Sequence, residues 1–310
     1  MEFLIPLPDH PYYLWQMLVQ TTHLREMGYE ENTHYLVVYF DGAPTEQLRT
    51  FFESDDLRCY LHAYPDTRED RSYGPSMKPW LLAQFFDQFP EEGRKAFNYL
   101  DPDVLFTRPM DFSPFERENG CWYGSDTGSY TSASYIRSKG EQLFLDLCLI
   151  AEVDPDLVLA HDHNSIGAQY FIKQTDAEFW RHVERTSVAA HRHMVETAEQ
   201  YHPEGHEHPI QAWCAEMYMQ QFATVRAGIT PIASPLMDFH WADAPADKWA
   251  EKAYFHNAGQ TAENGGHFSK TTWQVSPFGK DIQVSSTSAS SRYVELIRRT
   301  EDIFPDLIWE

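Results

Sequence analysis

The sequence predicts a doubly wound α/β fold, in which helices flank a mixed sheet. Residues 2–6 and 34–40 are continuous apolar runs rich in aromatic and β-branched side chains. Such runs are typical of strands that are buried on both faces of a parallel sheet. Between them, residues 11–27 place apolar side chains at helical spacing. The alternation of strands and helices favours a sheet built from parallel crossover units.

The alternation continues through the first third of the chain and becomes less regular afterwards. We expect a strand at 58–62, a loop at 63–75 and helices at 44–53 and 76–89. A further strand within 95–106 leads into an acidic turn. In the second half, we expect strands at 121–125, 131–136 and 253–256, and helices at 139–151, 176–200 and 209–223. The tail from 283 is Ser/Thr-rich, then helical, and ends in the apolar segment Phe-Pro-Asp-Leu-Ile-Trp.

The composition indicates a packed globular protein with a strongly acidic surface. The chain has 310 residues, of which 42% are hydrophobic and 15% aromatic, far more than a disordered chain contains. Its 24 Lys and Arg residues against 47 Asp and Glu give a formal net charge of −23. Such a surface repels phosphate backbones and anionic membranes at long range, which disfavours electrostatic binding of nucleic acid outside a local basic patch.

The cysteines and the N-terminal residues bear on where the protein works. Cys59, Cys121, Cys148 and Cys214 lie far apart and form no CxxC pair, so we expect reduced thiols. The N-terminal segment has no basic region before its apolar run, so we expect no signal peptide. No window approaches 18 apolar residues, so we expect no transmembrane segment. These features predict a soluble, cytoplasmic protein, in the host cytoplasm if the chain is viral.

The most informative motif is Asp101-Pro-Asp103, which follows an apolar strand. Ligands of open α/β sheets bind beyond the carboxyl ends of the strands, where this pair would lie. Carboxylate oxygens suit hard cations such as Mn²⁺ or Mg²⁺, which in turn bridge phosphate oxygens. The alternative is a turn whose carboxylates are simply solvated.

His256 ends a late apolar strand and is followed by Asn257. A neutral imidazole there could bind the same cation as the acidic pair. On its own, such a histidine is more often satisfied by backbone groups. Together with the aspartates, it predicts a three-residue metal site.

Two other segments carry candidate polar groups. Glu216 lies in an otherwise apolar helical turn, where partial burial would raise its pKa and make it a usable base for a hydroxyl. A solvated helix edge is the alternative. Before the metal strand, Lys78 and Trp80 could hold a phosphate and stack on a ring, or could simply begin a helix.

Residues 161–170 form a dense polar segment, within which Asp162 and Gln169 are candidates for hydrogen bonds to sugar hydroxyls. The His161–His163 pair lacks a third fixed ligand, so a zinc site there is weakly supported. A polar helix N-terminus is the competing interpretation. Six further histidines within 182–208 are expected on the solvated face of a long helix and its exit loop: His182, His191, His193, His202, His206 and His208.

The order of these motifs resembles the GT-A glycosyltransferase superfamily. The resemblance covers roughly residues 1–260: a strand ending at Asp41-Gly42, then Lys78-Pro-Trp, then Asn-Tyr-Leu-Asp-Pro-Asp, and late Phe-His256-Asn. It is also similar, loosely, to phage-type glycosyltransferases and, more distantly, to plant hydroxyproline arabinosyltransferases.

The resemblance implies a GT-A-like doubly wound mixed sheet flanked by helices, with a more irregular acceptor-side C-terminal half. Residues 1–282 would form one catalytic domain, with a nucleotide-binding half at 1–106, an acceptor half at 107–282 and a tail at 283–310. Asp103 would be the main metal ligand, His256 the second, and Asp101 would reach the metal or the donor ribose. Pro6 in the first strand and Asp41 would flank the nucleotide base.

Glu216 resembles the catalytic base of inverting members, although Ala215 stands where those members carry a second acid. Lys78, Trp80 and Gln169 would contact the donor, and Asp162 would act with Glu216. The expected reaction uses Mn²⁺ or Mg²⁺ and moves a sugar from a nucleotide sugar, UDP-linked by analogy, to a hydroxyl. The acceptor remains open among protein, glycan and hydroxymethylpyrimidine in phage DNA. A nucleotidyltransferase and a non-catalytic carbohydrate-binding module are the alternatives.

Overall fold

The structure, a computed structural model, describes residues 1–201, 208–259 and 266–309. Its strands are β1 (Glu2–Pro8), β2 (Thr33–Tyr39), β3 (Tyr60–Pro65), β4 (Ala96–Tyr99), β5 (Val104–Phe106), β6 (Cys121–Asp126), β7 (Ile166–Lys173), β8 (Thr230–Ala233), β9 (Phe239–Trp241) and β10 (Tyr254–His256). Its helices are α1 (Pro11–Glu26), α2 (Glu46–Glu53), α3 (Met77–Gln88), α4 (Ser113–Glu116), α5 (Gly128–Thr131), α6 (Ala133–Lys139), α7 (Glu141–Ile150), α8 (Pro155–Ala160), α9 (Ala177–Glu196), α10 (Ala215–Arg226) and α11 (Ser290–Ile303).

The chain divides into two compact units, each made of separate segments. The first unit contains residues 1–66, 99–112 and 236–310, and the second contains residues 67–98 and 113–235. The predicted functional halves at 1–106 and 107–282 stay a prediction. Among the described residues, no helix combines the length and the apolar character needed to cross a lipid bilayer.

In the first unit, the sheet order is β3-β2-β1, and both pairs are parallel. The buried apolar runs of β1 and β2 pair in register from Phe3 with Thr33 to Pro8 with Val38. Helix α1 begins at Pro11, whose fixed φ suits a first helical turn. Its Trp15 packs edge-on against Tyr293 of α11, with ring centroids 6.3 Å apart. These elements form a layered α/β core.

The first unit also contains a small three-stranded sheet in the order β5-β10-β9. Strand β10 pairs antiparallel with β5, so that His256 lies opposite Val104. The same strand pairs parallel with β9, so that His256 lies opposite Trp241. This small sheet therefore joins the segment after the acidic turn to two late segments of the chain.

In the second unit, the strand order is β4-β7-β6-β8, and this sheet is mixed. Strands β6 and β7 are antiparallel, whereas β6 and β8 are parallel. Helix α9 packs against both α3 and α10, and Trp122 of β6 stacks on Trp180 of α9 at 5.9 Å. The predicted α/β class with a helix-flanked mixed sheet is confirmed.

One predicted element is wrong. Residues 131–136 were expected to form a strand, but α6 covers 133–139, because the Ser132 side chain accepts a hydrogen bond from the Tyr135 amide and begins a helix. In residues 161–170, where a polar helix N-terminus was the competing interpretation, a short 3-10 helix at Asp162–Asn164 precedes β7, which begins at Ile166. Its polar Gln169 is fully buried, so alternation of apolar and polar residues could not reveal this strand.

Candidate metal centre and other polar groups

The acidic turn between β4 and β5 is fixed from within the first unit. The Val104 amide donates to the Asp101 carbonyl at 3.2 Å, which closes the turn. The buried Gln20 amide group of α1 donates to the carbonyls of Asp101 and Val104 at 2.9 and 2.8 Å. Because a helix side chain satisfies both carbonyls, the backbone that carries the two carboxylates is held in one place.

His256 reaches this turn through strand pairing. It is the last residue of β10, opposite Val104 of β5. One residue later, the Asn257 amide donates to the Asp103 carbonyl at 3.1 Å. The register of the small sheet therefore brings together residues that are far apart in sequence.

The three predicted metal ligands lie together. The Nε2 atom of His256 is 3.4 Å from Oδ1 of Asp103 and 3.9 Å from Oδ2 of Asp101. One ligand atom from each residue lies within 4.8 Å of the others, and no other such group of three occurs among the residues that the structure describes. Around an ion with bonds of about 2.1 Å, adjacent ligands are about 3 Å apart and opposite ones about 4 Å. The cluster therefore fits a single divalent cation with small adjustments.

Asp103 is held ionised by its neighbours. Its side chain is 3% exposed and accepts a charged hydrogen bond at Oδ2 from the Lys270 ammonium. Burial raises the pKa of Asp103, but the charges of Lys270 and His256 outweigh it and hold that pKa well below its usual range. The carboxylate is therefore in the form that a cation binds.

The His256 ring is packed between aromatic groups. The Trp241 indole stacks on it, with centroids 6.2 Å apart and planes 8° apart. The Phe239 ring is 5.4 Å away and tilted by 58°. The Nδ1 atom of His256 is buried and has no hydrogen-bond partner in the described part of the chain.

A second polar group lies in the second unit. Lys78 of α3 and Glu216 of α10 form an ion pair at 3.2 Å, in which the Glu216 side chain is buried and Lys78 is about one-fifth exposed. The Tyr73 hydroxyl accepts from the Glu216 amide at 3.0 Å and donates to the Trp213 carbonyl at 2.6 Å. The structure thus joins two of the predicted site residues, Lys78 and Glu216, in one buried pair.

The other predicted site residues occupy varied positions, and their roles stay predictions. Pro6 is buried within β1, and Asp41 is exposed in the turn after β2 with φ of +55°. Trp80 and Gln169 are buried inside the second unit. Asp162 accepts from the Ser134 amide at 2.9 Å and from the Ser134 hydroxyl, which ties a short helix to the α6 start.

The histidine-rich segment differs partly from its predicted solvated arrangement. His182 is buried, and its Nε2 lies 3.1 Å from the Ala151 carbonyl. His191 stacks on Tyr73 at 4.4 Å, and His193 lies 3.1 Å from an Asp146 carboxylate oxygen. His202 and His206 lie outside the described residues.

Sequence reasoning missed Lys270 and Trp241. Lys270 stands in Ser-Lys-Thr-Thr-Trp, and Trp241 ends the short strand β9. Neither belongs to a periodic pattern or a motif. A basic residue shortly after the late histidine was the one available signal, because two carboxylates and an imidazole call for nearby positive charge when no cation is bound.

Comparison with known proteins gives structural but no sequence matches. No protein-family model matches the chain, and no curated protein is similar to it in sequence. Among solved structures, it is similar to the bifunctional glycosyltransferase WbbM (TM-score 0.49, 9% identity, 98% of this chain and 51% of that chain). The chain thus spans about half the length of WbbM.

Two further solved structures show likeness over most of both chains. One is the galactosyltransferase LgtC in complex with donor and acceptor sugar analogues (TM-score 0.43, 10% identity, 96% of each chain). The other is a glycosyltransferase involved in glycosylation of the major capsid of PBCV-1 (TM-score 0.41, 12% identity, 84% of this chain and 95% of that chain). All three are glycosyltransferases, as the sequence resemblance had led us to expect, although likeness of this degree does not transfer an activity.

Proposed function

We propose that this protein is a metal-dependent glycosyltransferase that moves a sugar from a nucleotide-diphosphate sugar to a hydroxyl acceptor. The observation that carries the proposal is the cluster of Asp101, Asp103 and His256 at the end of a sheet strand. Beside the sequence resemblance, the cluster supplies the chemistry that departure of a diphosphate requires. A UDP-linked sugar is the donor that we propose.

The donor set fits Mn²⁺ or Mg²⁺. Two carboxylates and one imidazole, with no cysteine, suit a hard or borderline cation rather than a soft one. Asp103 would be the main ligand, because it is buried and ionised, and His256 the second. Asp101 is more exposed and would bind either the ion or the donor ribose.

A bound divalent cation would neutralise the negative charge that develops on the leaving diphosphate. Residues of the protein fix the position of the carboxylates and add positive charge beside them. Gln20 and the paired strands fix the carboxylates, and Lys270 adds a positive charge beside Asp103. A site with positive charge already in position stabilises a departing anion without reorganisation at the moment of reaction.

Glu216 remains our candidate for the base that accepts the acceptor proton, if the enzyme inverts. Its buried carboxylate lies 3.2 Å from the Lys78 ammonium. A retaining enzyme needs no base in that place. Within the same proposal, Pro6 and Asp41 flank the nucleotide base, Trp80 and Gln169 contact the donor, and Asp162 contacts the sugar or acceptor.

The proposal is tested first by ligand binding. In a panel of nucleotide sugars, one donor should raise the unfolding temperature only when Mn²⁺ is present. Saturation at about 100 times Kd stabilises a folded protein by about 2.7 kcal/mol. A carbohydrate-binding module would show no metal-dependent stabilisation by any donor.

Product analysis then separates the two enzyme classes. A glycosyltransferase releases a nucleoside diphosphate from a nucleotide sugar, whereas a nucleotidyltransferase releases pyrophosphate from a nucleoside triphosphate. The acceptor panel should contain a glycan, a hydroxyl-bearing peptide and hydroxymethylated DNA. Steep loss of DNA modification with added salt would identify the last of these, because contacts to phosphates are salt-sensitive.

Asp103→Asn tests the metal site directly. The amide keeps the shape of the side chain but removes its charge, so donor hydrolysis and transfer should fall to background while the protein stays folded. Asp55→Asn, at an exposed position of the same unit, is the matched control. Full activity of Asp103→Asn in chelator-treated buffer would contradict the proposed metal dependence.

A further inference from the structure

We infer that Trp241 is a positioning residue of the metal centre, because its stacked indole sets the orientation of the His256 imidazole. The inference rests on the proposed function, since it requires His256 to bind the metal. It assigns a role to an aromatic side chain that belongs to none of the sequence motifs.

The Nδ1 nitrogen of His256 faces away from the aspartates. Histidines that bind metals almost always donate their second ring N–H to a carboxylate, a carbonyl or water, and this bond fixes the ring. Here Nδ1 is buried without a partner in the described ranges of the chain, while Nε2 faces the two aspartates. Rotation about the bond to the ring is intrinsically broad. The contact of Nε2 with Asp103 at 3.4 Å holds one side of the ring, and packing must restrain the other side, where Nδ1 forms no hydrogen bond within the described ranges.

The Trp241 indole is the group that packs beside this ring. His256 and Trp241 are directly paired in the parallel ladder of β10 and β9. Their ring planes are nearly parallel, 8° apart, and their centroids are 6.2 Å apart, so the indole lies beside the imidazole in an offset parallel arrangement. A rotation of the imidazole about its side-chain bond would break this parallel contact. Trp241 therefore opposes the rotation that would remove Nε2 from the site.

Neighbouring groups hold the Trp241 indole in place. The Phe239 ring meets it edge-on, with centroids 4.7 Å apart. On another side, a Cβ atom at Gly259 would lie 3.4 Å from two indole carbons, so the glycine backbone lies close against the ring. Gly259 has φ of +77°, a conformation that side chains other than glycine rarely adopt. The indole is thus confined by a strand neighbour and by a backbone segment.

The exposure of Trp241 separates its role at the metal centre from a role in folding. Trp241 is 42% exposed, in contrast to the fully buried tryptophans Trp15, Trp122 and Trp180. Loss of a partly exposed side chain at the edge of a small sheet should cost less stability than loss of a core aromatic group. Metal affinity and fold stability can therefore respond differently to substitution at this position.

The experiment compares Trp241→Ala and Trp241→Phe with the wild type in the full chain. Mn²⁺ affinity is measured by calorimetry without donor or acceptor, and Co²⁺ absorption in the visible range reports the ligand geometry. We expect Trp241→Ala to bind Mn²⁺ about 10- to 100-fold more weakly, the usual cost of losing a group that orients a metal ligand. Its Co²⁺ band should change, whereas Trp241→Phe, which keeps an aromatic face, should recover most of the affinity and the wild-type band.

Two controls make the result specific. Trp213→Ala removes a tryptophan that is 70% exposed in the second unit, and it should leave Mn²⁺ affinity unchanged. Urea unfolding in chelator verifies that Trp241→Ala is folded. If Trp241→Ala proves unfolded, Trp241→Leu replaces it, because the larger side chain fills space without providing a ring.

The outcomes distinguish this inference from the proposed function. Wild-type affinity and an unchanged Co²⁺ band in a folded variant that lacks the ring would overturn the role of Trp241. Absence of Mn²⁺ binding by the wild type would instead overturn the metal site itself. Weakened binding in Trp241→Ala that Trp241→Phe does not restore would show that shape rather than ring stacking matters, and it too would overturn the inference.

Discussion

Lys270→Met should destabilise the metal-free protein and spare the metal-bound one. In the structure, the Lys270 ammonium balances the charge of an Asp103 side chain that is only 3% exposed. Methionine has a similar length and no charge. The substitution therefore leaves the buried Asp103 carboxylate with His256 but without the lysine ammonium. A bound divalent cation would supply the missing positive charge.

The magnitude follows from the burial of the two partners. Removal of one partner from a buried ion pair costs about 3–5 kcal/mol. Lys270 is 21% exposed, so we expect the lower end of that range, about 3 kcal/mol, in the presence of chelator. With saturating Mn²⁺, the substitution should lower the free energy of unfolding by about 1 kcal/mol or less. By linkage, a difference of about 2 kcal/mol means that Mn²⁺ binds the variant about 30-fold more tightly than the wild type.

Urea unfolding with chelator and with Mn²⁺, together with calorimetric titration, measures both quantities. Asp103→Asn combined with Lys270→Met completes a double-mutant cycle, in which the neutral amide should no longer need the lysine. An equal loss of stability with and without Mn²⁺ would refute the reasoning. So would an unchanged Mn²⁺ affinity, because Lys270 and the cation would then not compete for the same carboxylate.

Three further substitutions test separate parts of the molecule. Burial, aided by the charge of Arg299, lowers the pKa of His23 from 6.5 to about 4, so the unfolded state binds its proton first. The contribution of neutral His23 to the free energy of unfolding is fully present above about pH 6.5 and is lost as the pH falls towards 4. His23→Gln should abolish up to about 3 kcal/mol of that acid destabilisation. Identical dependence of urea unfolding on pH in both proteins would contradict this prediction. Gly93→Ala would bring a Cβ atom to 2.3 Å from the Thr175 carbonyl oxygen and should cost about 1–3 kcal/mol in urea unfolding, whereas Gly74→Ala, with open space around it, should cost little. Glu216→Gln should lower turnover about 10²- to 10⁴-fold with Mn²⁺ affinity unchanged; steady-state rates near the wild-type value would exclude it as the base.

The sequence was sufficient to predict the parts of the fold that local patterns encode. Buried apolar runs predicted β1 and β2, and helical spacing predicted α1. The DPD turn and His256 were placed at strand ends, and strand ends that pair bring their side chains together. The cluster of Asp101, Asp103 and His256 was therefore accessible from the sequence alone.

Other features depend on contacts that no local pattern records. The ion pairs of Lys270 with Asp103 and of Lys78 with Glu216 join residues that are distant in sequence. The stacking of Trp241 on His256 follows from the register between two short strands. In β7, burial of Gln169 hides the strand, because a polar residue in a fully buried position breaks the expected pattern.

The three proposed metal ligands come from distant parts of the chain, because Asp101 and Asp103 precede residues 113–235 of the second unit and His256 follows them. During translation, the ribosome therefore makes two of these residues and then residues 113–235 of the second unit before it makes the third. At about 5–20 residues per second, this interval lasts roughly 8–30 seconds. A nascent chain at that stage has the two carboxylates without the imidazole, so the complete site that we propose for the metal exists only after the polypeptide has been elongated past β10.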